Sequence, residues 1–143
     1  MKFFYIISII LSSFIISKPV PAIEMPYIDL DLVLEEDQNR DSNGPMRYAI
    51  DFDVDINLFE QGSFENLDNG DKIWRLRINS EEAIGMKLYF SEFYLPKGSS
   101  LIIYNDEHDM VVGPLTFADN HEDGQFSHRL LKGDYITLEY HEP

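Results

Sequence analysis

One stretch limits the fold more than any other. Tyr48, Ile50, Phe52, Val54, Ile56 and Leu58 alternate with Ala49, Asp51, Asp53, Asp55 and Asn57. A period of two puts apolar side chains on one face of a strand and carboxylates or amides on the other. A helix would scatter the same side chains round its axis and bury several acids. The spacing predicts a half-buried strand of an antiparallel sheet over residues 48–58.

Shorter alternations follow. Residues 63–67, the turn Asp68-Asn69-Gly70-Asp71 and residues 72–78 read as a hairpin, since Asn-Gly accepts the positive φ of a tight turn. Trp74, Leu76 and Ile78 point one way and Arg75 and Arg77 the other. Ile84, Met86, Leu88 and Phe90 alternate again, and Phe93 and Leu95 add apolar content before Pro96-Lys97-Gly98. Residues 101–104, 110–112, 125–130 and 135–140 complete about eight short strands. Residues 118–124 read as a polar loop. The predicted class is all-β: a two-sheet antiparallel β-sandwich, jelly-roll-like, with a small barrel as the alternative.

The N-terminus reads differently. Met1-Lys2, an apolar run over residues 3–16 and Ser17-Lys18-Pro19-Val20-Pro21-Ala22 have the order of a secretory signal peptide, cut after Ala22. The run is shorter than the ~20 residues that span a bilayer, so a stable membrane anchor is not expected. A lipoprotein anchor needs a cysteine, and the chain has none. The expected division is a signal peptide over 1–22, an acidic leader over 23–46 and a β domain over 47–143. Within the leader, Leu30, Val33 and Leu34 predict a short helix over 29–37 with Asp29 as its cap. Asp37-Gln38-Asn39-Arg40-Asp41-Ser42-Asn43-Gly44-Pro45 reads as a linker. The expected location is secreted, extracellular or periplasmic.

Charge and cysteine content exclude several functions. The 143 residues carry 11 Lys and Arg against 26 Asp and Glu, a net charge of −15. Residues 23–143 hold 9 basic and 26 acidic residues, net −17. Such a surface repels phosphate backbones and anionic lipid, so no nucleic-acid partner is expected. Without cysteine there is no disulfide, zinc–thiolate site, iron–sulfur cluster or thiol nucleophile. An exported domain lacking cysteine fits a bacterial source.

No residue pattern marks a catalytic centre. Ser63, Ser80, Ser91, Ser99, Ser100 and Ser127 lie outside any Gly-x-Ser-x-Gly or Gly-Asp-Ser-Gly-Gly context. Asp51, Asp53 and Asp55 have the carboxylates a glycosidase would need, but read more simply as the wet face of a strand. His108, His121, His128 and His141 have no metal-binding spacing. Asp119-Asn120-His121-Glu122-Asp123-Gly124 resembles the start of a calcium loop, yet Leu130 stands where the closing Glu belongs. Tyr89 and Tyr135 lie out of phase with the apolar face and could stack on sugars, or simply pack at strand edges. The expectation is a non-enzymatic chain with no catalytic, cofactor or metal residues.

The distributed motifs do resemble a family. They are Asp53-Val54-Asp55-Ile56-Asn57-Leu58, Gly62-Ser63-Phe64-Glu65 and Asn69-Gly70-Asp71-Lys72-Ile73-Trp74-Arg75-Leu76-Arg77-Ile78. Ala83-Ile84-Gly85-Met86-Lys87-Leu88-Tyr89-Phe90, Phe93-Tyr94-Leu95-Pro96-Lys97-Gly98 and Leu101-Ile102-Ile103-Tyr104-Asn105 follow. Gly113-Pro114-Leu115-Thr116 and Lys132-Gly133-Asp134-Tyr135-Ile136-Thr137-Leu138-Glu139-Tyr140 complete the set. Together they resemble the N-terminal non-catalytic region of secreted trypsin-like serine endopeptidases of the lysyl endopeptidase type, as in Bacteroidetes-like bacteria. In that family a β domain of this kind precedes the protease domain. The resemblance implies an N-terminal or pro-region domain, a truncated or fragmentary chain or a stand-alone relative, and a cognate serine protease domain as partner. None of the family's catalytic residues carries over. The alternative is an exported carbohydrate- or surface-binding module with glycans as partners.

Overall fold

The computed structural model describes residues 19–40 and 44–143. Most of the expected signal peptide lies outside the described residues. Among the described residues strand (34%) outweighs helix (13%), as an all-β fold requires. Its frame is a six-stranded sheet in the order β1 (Ala22–Glu24), β3 (Lys72–Asn79), β10 (Tyr135–Glu142), β6 (Ser100–Asn105) and β7 (Val111–Leu115), with β2 (Ser63–Asn66) also on β3. The path is open and does not close into a barrel. All its pairings are antiparallel except β1 with β3.

Register across β3, β10 and β6 explains the core. Trp74, Tyr140 and Leu101 form one row, Leu76, Leu138 and Ile103 the next, and Ile78, Ile136 and Asn105 the third. Period two sends all nine to the same face. Leu76, Ile103 and Ile136 are fully buried there. Each such side chain contributes roughly 1.5–3 kcal/mol by leaving water. The other face carries Arg75, Arg77, Thr137, Glu139 and Tyr104, as the strand phase requires.

Two short ladders meet the inner face. β4 (Gly85–Met86) pairs with β9 (Leu131–Lys132), and β5 (Tyr89–Phe90) pairs with β8 (Phe126–Ser127). Leu131, Phe93 and Leu95 complete the buried cluster, with Phe93 stacked on Phe126 at 4.5 Å between ring centroids. Buried Asn105 ties the layers together. Its Nδ2 donates to Asp109 Oδ1 (2.7 Å) and to the Lys132 carbonyl (3.0 Å), while its Oδ1 accepts the Met110 N–H (3.1 Å).

The leader helix forms where its spacing predicts, as α1 (Leu30–Gln38), with the Asp29 carboxylate accepting the Asp31 and Leu32 N–H groups. Residues 41–43 of the linker lie outside the described residues. Upstream of α1, β1 and the residue that follows it place Ile23 and Met25 against the core.

Several expectations need correction. Residues 48–57 form no strand, and Leu58 opens the short helix α2 (Leu58–Gln61). Tyr48 is 94% exposed, and Ile50 and Val54 are also exposed. The edge of β3 is already taken, by β2 over Lys72–Arg75 and by β1 over Arg77–Asn79, so a further strand has no ladder to join there. Only Ile56 and Leu58 reach the core. The Asn-Gly turn is wider than a two-residue hairpin: Leu67 N–H donates to the Asp71 carbonyl, and positive φ falls on Gly70 alone. Ile84 is exposed rather than inward, and the 125–130 strand shrinks to Phe126–Ser127.

Candidate functional site

The β5–β8 ladder borders an open cleft of about 780 Å3. Phe90 and Phe126 sit opposite each other in the ladder, and Phe52-Asp53-Val54 of the extended segment contributes further lining. Tyr89, Ser91, His121, Asp123, Gln125 and Ser127 supply the rest. The loop is held by an aspartate side chain and by a backbone bond to Phe93. Asp123 Oδ1 accepts the Gln125 N–H (3.0 Å), and the Gly124 carbonyl accepts the Phe93 N–H (2.7 Å). Tyr89 is 66% exposed, with Lys87 Nζ 4.5 Å from its ring centroid. An exposed ring beside acid, amide and imidazole groups can stack on a sugar face and bond its hydroxyls.

The cleft gathers residues that the sequence singles out separately: Tyr89, Asp53, His121, Asp123, Ser91 and Ser127. Hydroxyl, imidazole and carboxylate thus share one space. Yet among the described residues no hydrogen bond links a serine hydroxyl to His121, or His121 to Asp123. Asp51 and Asp55 stay outside the cleft lining, exposed to solvent. Tyr135 lies on the outer face of the sheet, with the Arg77 guanidinium 4.6 Å from its ring centroid.

Other candidates are engaged in holding the fold. Asp119 caps its own turn by accepting the Thr116 N–H (2.7 Å). Asn120 pairs with the Leu95 backbone as a strand would, accepting its N–H (2.8 Å) and donating to its carbonyl (2.9 Å). Two residues of the calcium-like run are therefore spent on local structure. No group of three or more His, Asp or Glu among the described residues could hold a metal ion.

The histidines separate by environment. His128 is 4% exposed and fills the break between the two ladders. Its Nε2 accepts the Leu88 N–H (3.0 Å), so Nδ1 must carry the proton and donate to the Arg129 carbonyl (2.6 Å). Burial pushes its pKa below the ordinary histidine value, and the Lys87 ammonium adds to that. His141 Nε2 meets Asp71 Oδ2 at 2.8 Å. That bond, with one from Asn69, lowers the Asp71 pKa. His108 packs its ring 4.5 Å from that of Tyr104.

Carboxylates also brace the sheet. Glu142 accepts from Trp74 Nε1 (2.6 Å) and Lys72 Nζ (3.2 Å), and these bonds lower its pKa. Arg75 joins Glu139 (2.7 Å) to Glu65 (2.9 Å). Desolvation, with Glu139 nearby, raises the Tyr104 pKa.

Sequence reasoning missed Phe52, Phe126 and Gln125 as cleft residues. It placed Phe52 on a buried strand face, and the other two in a strand longer than the observed one. The aromatic run Phe90, Phe93 and Phe126, flanking an acid-rich loop, was the available signal. No family model matches the chain, and no solved structure does.

Proposed function

We propose that the chain is a non-catalytic accessory domain, sandwich-type and jelly-roll-like, of the kind that stands before the catalytic domain of secreted trypsin-like serine endopeptidases. One observation carries this reading. The most specific motifs behind the resemblance lie in the framework of the six-stranded sheet and the turn that enters it. Trp74-Arg75-Leu76 is the middle of β3, Leu95-Pro96-Lys97-Gly98 is the turn into β6, and Leu101 through Tyr104 is β6 itself. A partner of lysine-rich or otherwise basic surface suits the charge of −15. The test mixes the purified chain with a lysine-specific trypsin-type endopeptidase whose active-site serine is blocked. Saturable one-to-one binding that weakens with salt supports the reading; no binding at low salt sinks it.

The cleft favours a second reading, an exported glycan-binding module. Its support is the exposed Tyr89 ring among Asp53, Asp123 and Gln125. Retention on a glycan array, lost in Tyr89→Ser, is the expected result. An array on which the wild-type protein binds nothing rejects it.

A further inference from the structure

The cleft beside the β5–β8 ladder owes part of its charge to a segment that forms no strand. In a ladder, period two would turn Asp53 away from Phe52 and Val54. Residues 48–57 join no ladder, and these three residues border the cleft together. The segment therefore brings a carboxylate and apolar contact to one space. Asp123, in the loop before β8, brings a second carboxylate to it.

The chain neutralises neither acid. No lysine or arginine lines the cleft, and among the described residues no ion pair involves Asp53 or Asp123. His121 is the one basic residue of the lining, and it pairs with neither acid. Lys87, two residues before Tyr89, lays its ammonium over that ring, 4.5 Å from the centroid, and not against a carboxylate. Asp123 spends one oxygen on the Gln125 N–H. Two uncompensated carboxylates bordering one space repel each other, and a bound cation relieves that repulsion.

Charge divides the sugars that such a cleft can take. Uronates and sulfated sugars are repelled by the two acids and by the net charge of −15. A neutral sugar satisfies the oxygens through its hydroxyls but leaves their charge in place. An amine-bearing sugar matches both features of the site. Its ammonium forms charge-assisted bonds to the acids, and its ring face stacks on Tyr89, 66% exposed. We infer that the cleft takes a glycan with free amino groups, of the glucosamine class. This rests on the glycan-binding reading and names its ligand.

Titration calorimetry at physiological salt compares a short glucosamine oligomer with its N-acetylated counterpart, which keeps the rings and loses the charge. The glucosamine oligomer should bind about tenfold more tightly or better, the scale of a charge-assisted hydrogen bond. Thermal unfolding first shows that each variant folds. Tyr89→Ser and Asp53→Asn should each weaken binding, and Asp123→Asn, which keeps an acceptor for Gln125, should act as Asp53→Asn does. Asp51→Asn removes the same charge two residues away, at an exposed position outside the cleft, and should leave binding unchanged. Equal binding of the two oligomers, or binding of another glycan alone, overturns the amine class and leaves the glycan reading standing. Equal losses in Asp51→Asn and Asp53→Asn, or full binding by Tyr89→Ser, mean attraction to overall charge and overturn the site. A wild-type protein that binds no glycan overturns the reading and the ligand with it.

Discussion

Replacing His128 with alanine should expose how the second layer is held. The imidazole bridges a gap where β4–β9 and β5–β8 do not join, and it supplies the acceptor for the Leu88 N–H. Alanine leaves that half-buried amide unpaired, which costs about 1–3 kcal/mol. It also removes a ring that is 4% exposed, which adds about 1 kcal/mol of lost packing. The Arg129 carbonyl loses its donor too, but that residue is exposed and water can replace it. The expected total is about 2–4 kcal/mol. Urea unfolding followed by fluorescence of Trp74, the single tryptophan, measures it. The wild-type protein should carry a matching pH signature. Burial lowers the folded pKa of His128, so the unfolded chain takes up the proton first. Stability is complete above the ordinary value of about 6.5, falls as pH drops through it, and levels off below the folded pKa. His128→Ala should lose that step. A variant within about 0.5 kcal/mol of wild type, or one that keeps the same pH step, refutes this role.

Further outcomes test other parts of the frame. Leu131→Ala removes a fully buried side chain of the second layer and should cost about 2–5 kcal/mol in the same urea assay. Asn120→Ala breaks both bonds to the Leu95 backbone and should cost about 1–3 kcal/mol, with faster hydrogen exchange at the Leu95 amide. Asp71 and Glu142 have lowered pKa values, so their contribution holds at neutral pH and disappears as pH falls through their folded values; acid should shift Trp74 fluorescence below the ordinary carboxylate range. Gly113 has φ +110, and a Cβ there would stand 2.6 Å from the Leu101 carbonyl, so Gly113→Ala should lower the melting temperature by displacing β7 from β6.

The central strands were legible because their signal is local and repeated. Trp74, Leu76 and Ile78 against Arg75 and Arg77 fix both faces of β3, and Ile136, Leu138 and Tyr140 do the same for β10. Asp29 before Leu30 marked the helix start for the same reason. The strongest alternation, at residues 48–58, misled because periodicity describes which side chains prefer water and not whether a ladder edge is free. Parallel β1 was invisible: three residues joined to a strand more than fifty positions away leave no periodic trace. The cleft needed the same long-range knowledge, since Phe52 and Phe126 come to line one space only after the ladders have formed. His128 could not be told from the other histidines, because its role depends on a gap between ladders that the sequence does not display.

Amide hydrogen exchange tests the central arrangement most directly, since every site described hangs on the β3–β10–β6 register. The amides of Leu76, Leu138 and Ile103 should be the slowest in the chain, and those of residues 48–57 among the fastest. Strong protection across residues 48–57, with rapid exchange in β3, would contradict the arrangement and the sites built upon it.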